Sequence, residues 1–298
     1  PIYKREPLDV CMEKMARADI VCFSAYVWNI RMSLALAEQL KKRNPNTAIV
    51  FGGPQVPNRV EDFLREHPFI DVTCHGEGEA AFVDILENGV ANILSRTWGD
   101  TPSVSYLKDD TVHLFTSRPR IKDMDHVPSP YLEGTFAPLM QAYPDERWIV
   151  MWETNRGCPF SCAYCDWGSA TQSRVFKFDM DRLSPELNWF ADHRLEFVFC
   201  ADANFGMLPR DVEIARWAAR VKSEKGYPHA LSVQNTKNAT ERSYDVQKIL
   251  SDSGLNKGVT IALQSTDEDT LEAIDRLNIS TESYQELQRR FTRDGVDT

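Results

Sequence analysis

The 298-residue sequence contains no apolar stretch that approaches the ~20 residues needed to cross a membrane. No secretory signal peptide is visible in it either. We therefore predict no membrane partner and take the cytoplasm as the expected location.

The sequence also lacks a basic run. Its 34 Lys and Arg residues are outnumbered by 44 Asp and Glu residues, which gives a formal net charge of −10. Phosphate backbones bind clustered Lys and Arg, so nucleic acid is not the expected partner. A local basic pocket for a small anion remains compatible with this balance.

A secreted disulfide framework is missing as well. There are seven cysteines, an odd number, and most of them stand alone within apolar segments. Three of them are the exception, because they lie within eight positions: Cys158, Cys162 and Cys165.

The first third of the chain alternates short apolar runs with amphipathic segments. Glycines follow the apolar runs, which indicates parallel strands ending in ligand-facing turns and an α/β, Rossmann-like domain. We predict strands at Ala18–Ser24, Thr47–Phe51 and Ile70–Cys74, and helices after Asn29, at Asn58–Glu66 and at Glu79–Leu86. We expect this domain to cover residues 1–100.

Residues 101–145 have a different character. Two short strands, Ser103–Leu107 and Thr111–Phe115, flank a polar turn and predict a hairpin. Recurring prolines from Pro119 to Pro144 then indicate an ordered connector.

Residues 146–298 alternate strand and helix again, which predicts a parallel (β/α) barrel. The predicted strands are Ile149–Glu153, Leu195–Cys200, Ala230–Gln234 and Val259–Gln264. The predicted helices are Arg182–His193, Arg210–Lys225, Glu241–Ser251, Glu268–Leu277 and Thr281–Arg293. Four strands cannot close a barrel, and the first residue is Pro1 rather than Met. We therefore expect a fragment, with the first domain incomplete and the barrel truncated after about four strands.

The three clustered cysteines carry the strongest chemical signal. They lie in the run Arg156-Gly-Cys158-Pro-Phe-Ser-Cys162-Ala-Tyr164-Cys165, directly after the first barrel strand. Thiolates are the ligands of iron–sulfur clusters, and three of them leave one iron of a [4Fe-4S] cubane open for chemistry. A structural zinc with a distant fourth ligand is the alternative, although only Cys162 and Cys165 have the usual zinc spacing. Cys200 is interpreted as a strand residue rather than a fourth ligand.

The spacing Cys-x-x-x-Cys-x-aromatic-Cys resembles the signature of the radical S-adenosylmethionine (radical SAM) superfamily. This resemblance implies that S-adenosylmethionine chelates the open iron and is cleaved reductively to a 5′-deoxyadenosyl radical. It also implies that Tyr164 lies near the adenine, with simple packing under the loop as the alternative.

The resemblance further implies that polar residues at the ends of the next strands contact S-adenosylmethionine. Asp202 and Asn204 follow the second strand, with helix capping or turn formation as their alternative role. Gln234 ends the third strand, Gln264 ends the fourth, and Ser265 follows it. Gln264 stands where many relatives carry Glu.

The first domain resembles the cobalamin-binding domain that precedes many radical SAM barrels. The matching residues fall at the carboxyl ends of predicted strands, where glycine allows close approach of a ligand. They are Ser24, Tyr26, Trp28, Asn29, Gly52, Gly53, Pro54, Gly76, Glu77, Gly78 and Glu79. The Asp-x-His-x-x-Gly motif of other cobalamin proteins does not occur in this sequence. His75 is a poor substitute, and we expect a capped or solvated histidine.

Together the two resemblances imply a cobalamin-dependent radical SAM methyltransferase that methylates an unactivated carbon. A rearrangement, cyclisation or oxidation with the same cofactors is an alternative, and so is a cofactor-binding module without turnover. The implied partners are a small-molecule or peptide substrate and an electron donor such as flavodoxin or ferredoxin. Trp167 could line the substrate or corrin side of the site, or simply pack within its loop.

Overall fold

A computed structural model describes residues 1–165, 174–236, 238, 241–256 and 258–297. The chain divides into two compact units, Pro1–Ile121 and Lys122–Thr298. In the described part of the chain, none of the helices combines the length and apolar character that crossing a bilayer requires.

The first unit is built on a five-stranded sheet in the order β1-β2-β3-β4-β5. The first three strands are parallel, whereas β4 runs antiparallel to β3 and β5 antiparallel to β4. Its elements are α1 (Leu8–Met15), β1 (Ile20–Ser24), α2 (Ile30–Arg43), β2 (Ala48–Gly52), α3 (Glu61–Glu66), β3 (Val72–Cys74), α4 (Gly78–Ser95), β4 (Val104–Lys108) and β5 (Thr111–His113).

Strand β2 is buried on both faces, which explains its continuous apolar sequence. Ile49 and Phe51 belong to one apolar core together with residues of α1, α2 and α3. Ala48 and Val50 belong to a second core, which α4 completes. Alternate side chains of a strand point to opposite faces, so helices cover both sides of the sheet.

Several details differ from the sequence predictions. The hairpin β4–β5 extends the sheet of the first unit, because Thr73 and Cys74 pair with Ser105 and Val104. The compact unit that contains this sheet runs to Ile121, and the domain boundary near residue 100 stays a prediction. Helix α1 was not predicted, and α4 continues past Gly89, whose non-helical backbone only interrupts it.

In the second unit, the elements are a 3₁₀ helix (Met124–His126), α5 (Ala137–Ala142), β6 (Ile149–Trp152), β7 (Asn155–Arg156), β8 (Phe176–Lys177), α6 (Met180–Asp192), β9 (Phe197–Cys200), α7 (Pro209–Lys225), β10 (Ala230–Ser232), α8 (Glu241–Asp252), α9 (Glu268–Ala273) and α10 (Thr281–Arg293). Strands β6, β9 and β10 form a parallel sheet in sequential order. Parallel strands joined in sequence by helices are the pattern that the barrel prediction requires.

The prediction of a fourth strand at Val259–Gln264 is wrong. Among the described residues of this segment, the pairing is limited to an isolated parallel bridge between Gly258 and Asp297, where the Val259 amide donates to the Asp297 carbonyl at 2.8 Å. The residues that follow are irregular as far as α9. A run of β-branched and apolar residues forms a strand only where a neighbouring strand pairs with it along its length.

Candidate functional site

The cysteine loop, which carries Cys158, Cys162 and Cys165, lies between β7 and β8 in the chain. Its base is closed by the antiparallel pair β7–β8, in which Asn155 pairs with Lys177 and Arg156 with Phe176. Gly157 follows β7 with a φ of +131°, and a Cβ there would lie 2.2 Å from the carbonyl oxygen of Arg174. Only glycine fits this close approach of two backbones.

We expect Gly157→Ala to open the base of the loop and to destabilise the second unit by at least about 2 kcal/mol, because it adds a backbone clash to a strained φ. Thermal melting and iron content after anaerobic reconstitution would measure the effect.

Gly226→Ala is the matched control for this substitution. Gly226 ends α7 with a φ of +80°, but no atom lies within 4 Å of its added Cβ. It should lower stability by only about 1 kcal/mol and leave iron content unchanged. An equal loss of iron in both variants would contradict the special role of Gly157.

All seven cysteines are thiols rather than disulfides. Cys158 and Cys162 are buried, and Cys165 is partly exposed. Two buried side chains donate N–H groups to the buried sulfurs. Asn204 Nδ2 lies 3.2 Å from Cys158 Sγ, and Arg276 Nη1 lies 3.9 Å from Cys162 Sγ.

The chemistry of these groups fits an anionic thiolate cluster. Three thiols share one loop, and the donors that face two of them are an amide and a guanidinium, which stabilise negative charge on sulfur. Among the described residues, no group of three His, Cys, Asp or Glu side chains is arranged to hold a single metal ion.

Asp202 is fully buried and fastens the start of the cysteine loop. Its Oδ1 accepts hydrogen bonds from the backbone amides of Thr154 at 2.8 Å and Asn155 at 3.1 Å. Its Oδ2 accepts from the Thr154 hydroxyl and from Asn155 Nδ2, the latter at 2.7 Å. Burial raises the pKa of this carboxyl to about 6, although these hydrogen bonds lower it. Both carboxylate oxygens of Asp202 accept hydrogen bonds from the protein. A contact of Asp202 with S-adenosylmethionine stays a prediction.

Arg276 was not recognised from the sequence. It is buried and follows α9, and its guanidinium also donates to the Tyr164 hydroxyl at 3.2 Å and the Ala262 carbonyl at 2.9 Å. The Ala163 amide donates to the Ile274 carbonyl at 2.9 Å, so the segment after α9 packs against the cysteine loop. Arg276 lies within a predicted helix, and nothing in the neighbouring sequence indicates that its side chain will contact the cysteine loop.

The other residues predicted to contact S-adenosylmethionine lie on three segments. Tyr164 is half-exposed on the cysteine loop, and Gln234 is exposed after β10. Gln264 is exposed with a φ of +53°, and Ser265 caps the turn before α9 by accepting from the Asp267 amide. The structure brings Tyr164 next to Arg276, whose Nε is held by Asn278, and Asn278 in turn donates to the Ser265 carbonyl.

Trp167, a candidate for the substrate or corrin side of the site, lies outside the described residues.

In the first unit, the predicted cobalamin residues occupy the turns after β1, β2 and β3, at one edge of the parallel strands. Asn29 organises the first turn, because its Oδ1 accepts from the Tyr26 amide at 2.7 Å and its Nδ2 donates to the Ser24 carbonyl at 2.8 Å. Trp28 stacks on Tyr26 with ring centroids 4.6 Å apart and is 76% exposed. An indole held open to solvent offers an apolar surface to a ligand.

The second turn touches the first. The Ala25 amide donates to Gly52 at 2.7 Å, and Gly53 has a φ of +99°. A Cβ on Gly53 would lie 2.8 Å from the Ala25 carbonyl oxygen, so this turn requires glycine. Pro54 follows on the exposed side.

In the third turn, Gly76 has a φ of +73°, and Gly78 begins α4 with Glu79 in its first turn. The Glu77 carboxylate accepts from the Ile121 amide at 2.6 Å. The expectation of a capped or solvated His75 is wrong, because this side chain is buried, stacks on Phe115 and contacts the Thr73 hydroxyl at 3.0 Å. Burial lowers the pKa of His75 to about 4, so the ring is neutral at pH 7.

Comparison with known proteins gives matches for both units of the chain. Residues 13–86 match the B12 binding domain family. The chain is 39% identical over 300 residues to the cobalamin-dependent radical SAM methyltransferase TokK of Streptomyces tokunonensis, covering 100% of the chain and 44% of TokK. It is 43% identical over 284 residues to 2-(S-pantetheinyl)-carbapenam-3-carboxylate methyltransferase of Streptantibioticus cattleyicolor, covering 94% of the chain and 41% of that enzyme.

Among solved structures, the chain resembles the cobalamin-dependent S-adenosylmethionine radical enzyme OxsB with aqua-cobalamin bound. The TM-score is 0.71 at 15% identity, and the match covers 98% of the chain and 42% of OxsB. This likeness shows a shared fold. The chain spans less than half the length of the curated relatives it matches.

Proposed function

Because the chain belongs to the cobalamin-binding radical SAM enzymes, we propose that it cleaves S-adenosylmethionine reductively and supports cobalamin-dependent methyl transfer to an unactivated carbon. The observation that carries this proposal is the cysteine loop, where Cys158, Cys162 and Cys165 lie within eight positions of the sequence and buried N–H donors face two of the sulfurs. A [4Fe-4S] cluster and a cobalamin, when bound, supply the radical and methyl chemistry that no side chain can provide.

The chain's own residues hold and orient these groups. The three thiolates would bind the cluster, and Asp202 keeps the loop start in place through Thr154 and Asn155. Tyr164, with its hydroxyl bound by Arg276, offers a ring beside the loop on which an adenine can stack. Gln264 and Ser265 lie on the segment that Asn278 and Arg276 tie to this loop.

In the first unit, the turns after β1, β2 and β3 would hold the cobalamin. Exposed Trp28 offers an apolar surface, and Gly53 and Gly76 keep the backbone free of side chains where a large ligand approaches. The match of residues 13–86 to the B12 binding domain family supports this assignment.

We extend the proposal to the substrate and the partners, on the basis of the resemblance to these enzymes. The relative at 43% identity is named for a carbapenam carboxylate, so we propose a small carboxylate-bearing molecule of that class as the first substrate to test. A low-potential protein such as flavodoxin or ferredoxin would donate the electron. The net charge of −10 argues against nucleic acid, and the need to keep a thiolate cluster intact favours the cytoplasm.

Methyl-labelled S-adenosylmethionine tests the proposal. Anaerobically purified, reconstituted protein should release 5′-deoxyadenosine and place the label in the product. Formation of 5′-deoxyadenosine without label in any product would favour a rearrangement, cyclisation or oxidation. Iron binding with no 5′-deoxyadenosine under reducing conditions, in the presence of substrate, would favour a cofactor-binding module.

A further inference from the structure

Two buried side chains from different segments point their donors at the cysteine loop. Asn204 is 1% exposed and follows β9, and Arg276 is 4% exposed and follows α9. Each contacts a different sulfur, at 3.2 Å for Cys158 and 3.9 Å for Cys162. The first distance is that of an N–H···S hydrogen bond, and the second is a longer, charge-assisted contact.

The position of Asn204 is set by the strands around it. On one side, Asp202 is anchored to Thr154 and Asn155. On the other side, the Phe205 amide donates to the Gln234 carbonyl at 2.8 Å, which ties the turn after β9 to the segment after β10. The amide of Asn204 therefore meets Cys158 Sγ from a backbone that is held on both sides, and the donor needs no reorganisation when charge on sulfur increases.

The hydrogen-bond partners of Arg276 are neutral groups and a cysteine sulfur. Its donors reach Cys162 Sγ, the Tyr164 hydroxyl, the Ala262 carbonyl and Asn278 Oδ1. Within the described ranges, none of its partners is a carboxylate. A buried guanidinium is costly unless negative charge lies nearby, and thiolates that carry a cluster would supply that charge.

We propose that Asn204 and Arg276 are positioning residues that raise the reduction potential of the cluster by donating N–H groups to its thiolates. The inference rests on the function proposed above. Reduction adds one negative charge to the cluster, so donors fixed at the sulfurs stabilise the reduced form more than the oxidised form. For Asn204, this role differs from the direct contact with S-adenosylmethionine that the family resemblance implies.

The test is an EPR-monitored redox titration of the reconstituted protein without S-adenosylmethionine, using dithionite as reductant. Asn204→Ala removes the donor, and Asn204→Asp replaces it with a carboxylate of the same shape. Arg276→Gln keeps an N–H donor but removes the charge. Asn188→Ala is the control, because its amide donates to a helix carbonyl, that of Ser184, and to no other group among the residues that the structure describes.

We expect the potential to become more negative in all three site variants, most of all in Asn204→Asp, and to stay unchanged in Asn188→Ala. For Asn204→Ala the reduced-to-oxidised ratio at a fixed potential should fall on the order of tenfold, which is 59 mV for a one-electron couple. The signal reports only clusters that are present, so partial iron loss does not obscure the shift.

Unchanged potentials in the site variants would overturn the inference. Unchanged potentials together with weaker binding of S-adenosylmethionine would do so by assigning the two side chains to the ligand. A wild-type protein without a [4Fe-4S] signal would instead remove the proposed function, so the two failures are distinguishable.

Discussion

Replacing Cys158, Cys162 or Cys165 by alanine, one at a time, is expected to reduce the bound iron from about four atoms per chain to near zero and 5′-deoxyadenosine formation to background. Three thiolates are the minimum set that holds a cubane with one iron open. The loss of any one leaves too few ligands, and the remaining loop offers no substitute among its described side chains. Iron and sulfide analysis, with the absorption spectrum, measures this directly.

Two other cysteines serve as controls for that experiment. Cys22 is exposed in β1, so Cys22→Ser should retain all of the iron. Cys200 is fully buried in β9, and Cys200→Ala should cost about 1–2 kcal/mol of stability but keep the cluster. Loss of iron in Cys200→Ala, or one tightly bound zinc per chain in the wild type, would contradict the assignment of three ligands to an iron cluster.

Asp202→Ala should have the next largest effect. It leaves the buried amides of Thr154 and Asn155, the Thr154 hydroxyl and the Asn155 side chain without their acceptor. Unpaired buried donors of this kind cost about 3–5 kcal/mol together. Because the same residues begin the cysteine loop, we expect both a lower melting temperature and incomplete iron loading.

Asp192→Ala is the surface control for this variant. The Asp192 carboxylate is exposed and pairs with Lys225, and such pairs contribute less than about 1 kcal/mol. Equal effects of the two substitutions would contradict a positioning role for Asp202.

Asp202→Asn tests how the contribution of Asp202 to the free energy of unfolding changes with pH. The folded-state pKa of Asp202 is raised to about 6, so between the unfolded value and pH 6 the folded protein binds more protons than the unfolded chain. The extra proton stabilises the folded wild type at low pH, and this stabilisation is lost as pH rises through about 6. The asparagine side chain does not titrate, so the variant shows no such loss. The advantage in stability of the wild type over Asp202→Asn should shrink by about 1 kcal/mol between pH 5 and pH 7.

Local sequence patterns predicted most helices and strands of both units. Thr281–Arg293 was predicted with the bounds that the structure has, and the strands Ala48–Gly52 and Phe197–Cys200 lie where apolar runs indicated them. Each of these segments has a continuous helical period or apolar run, and a window of about ten to fifteen residues is enough to recognise it.

Other elements could not be read in this way. Helix Leu8–Met15 has a short and weak apolar stripe, and the run Val259–Gln264 has strand composition but lacks a continuing partner. Likewise, His75 resembled a loop histidine, yet the hairpin that follows in the chain brings Phe115 over its ring. In each case residues outside the segment decide its conformation or burial.

The sequence by itself determined the cysteines of the loop and the glycine-bearing turns of the first unit, because each is a pattern of neighbouring residues. Only the tertiary structure decided that Asp202 holds Thr154 and Asn155, and that Asn204 and Arg276 face the sulfurs. Those contacts join residues 46 to 114 positions apart in the chain. Strand register and helix packing create them, and no local pattern records which distant polar groups will meet.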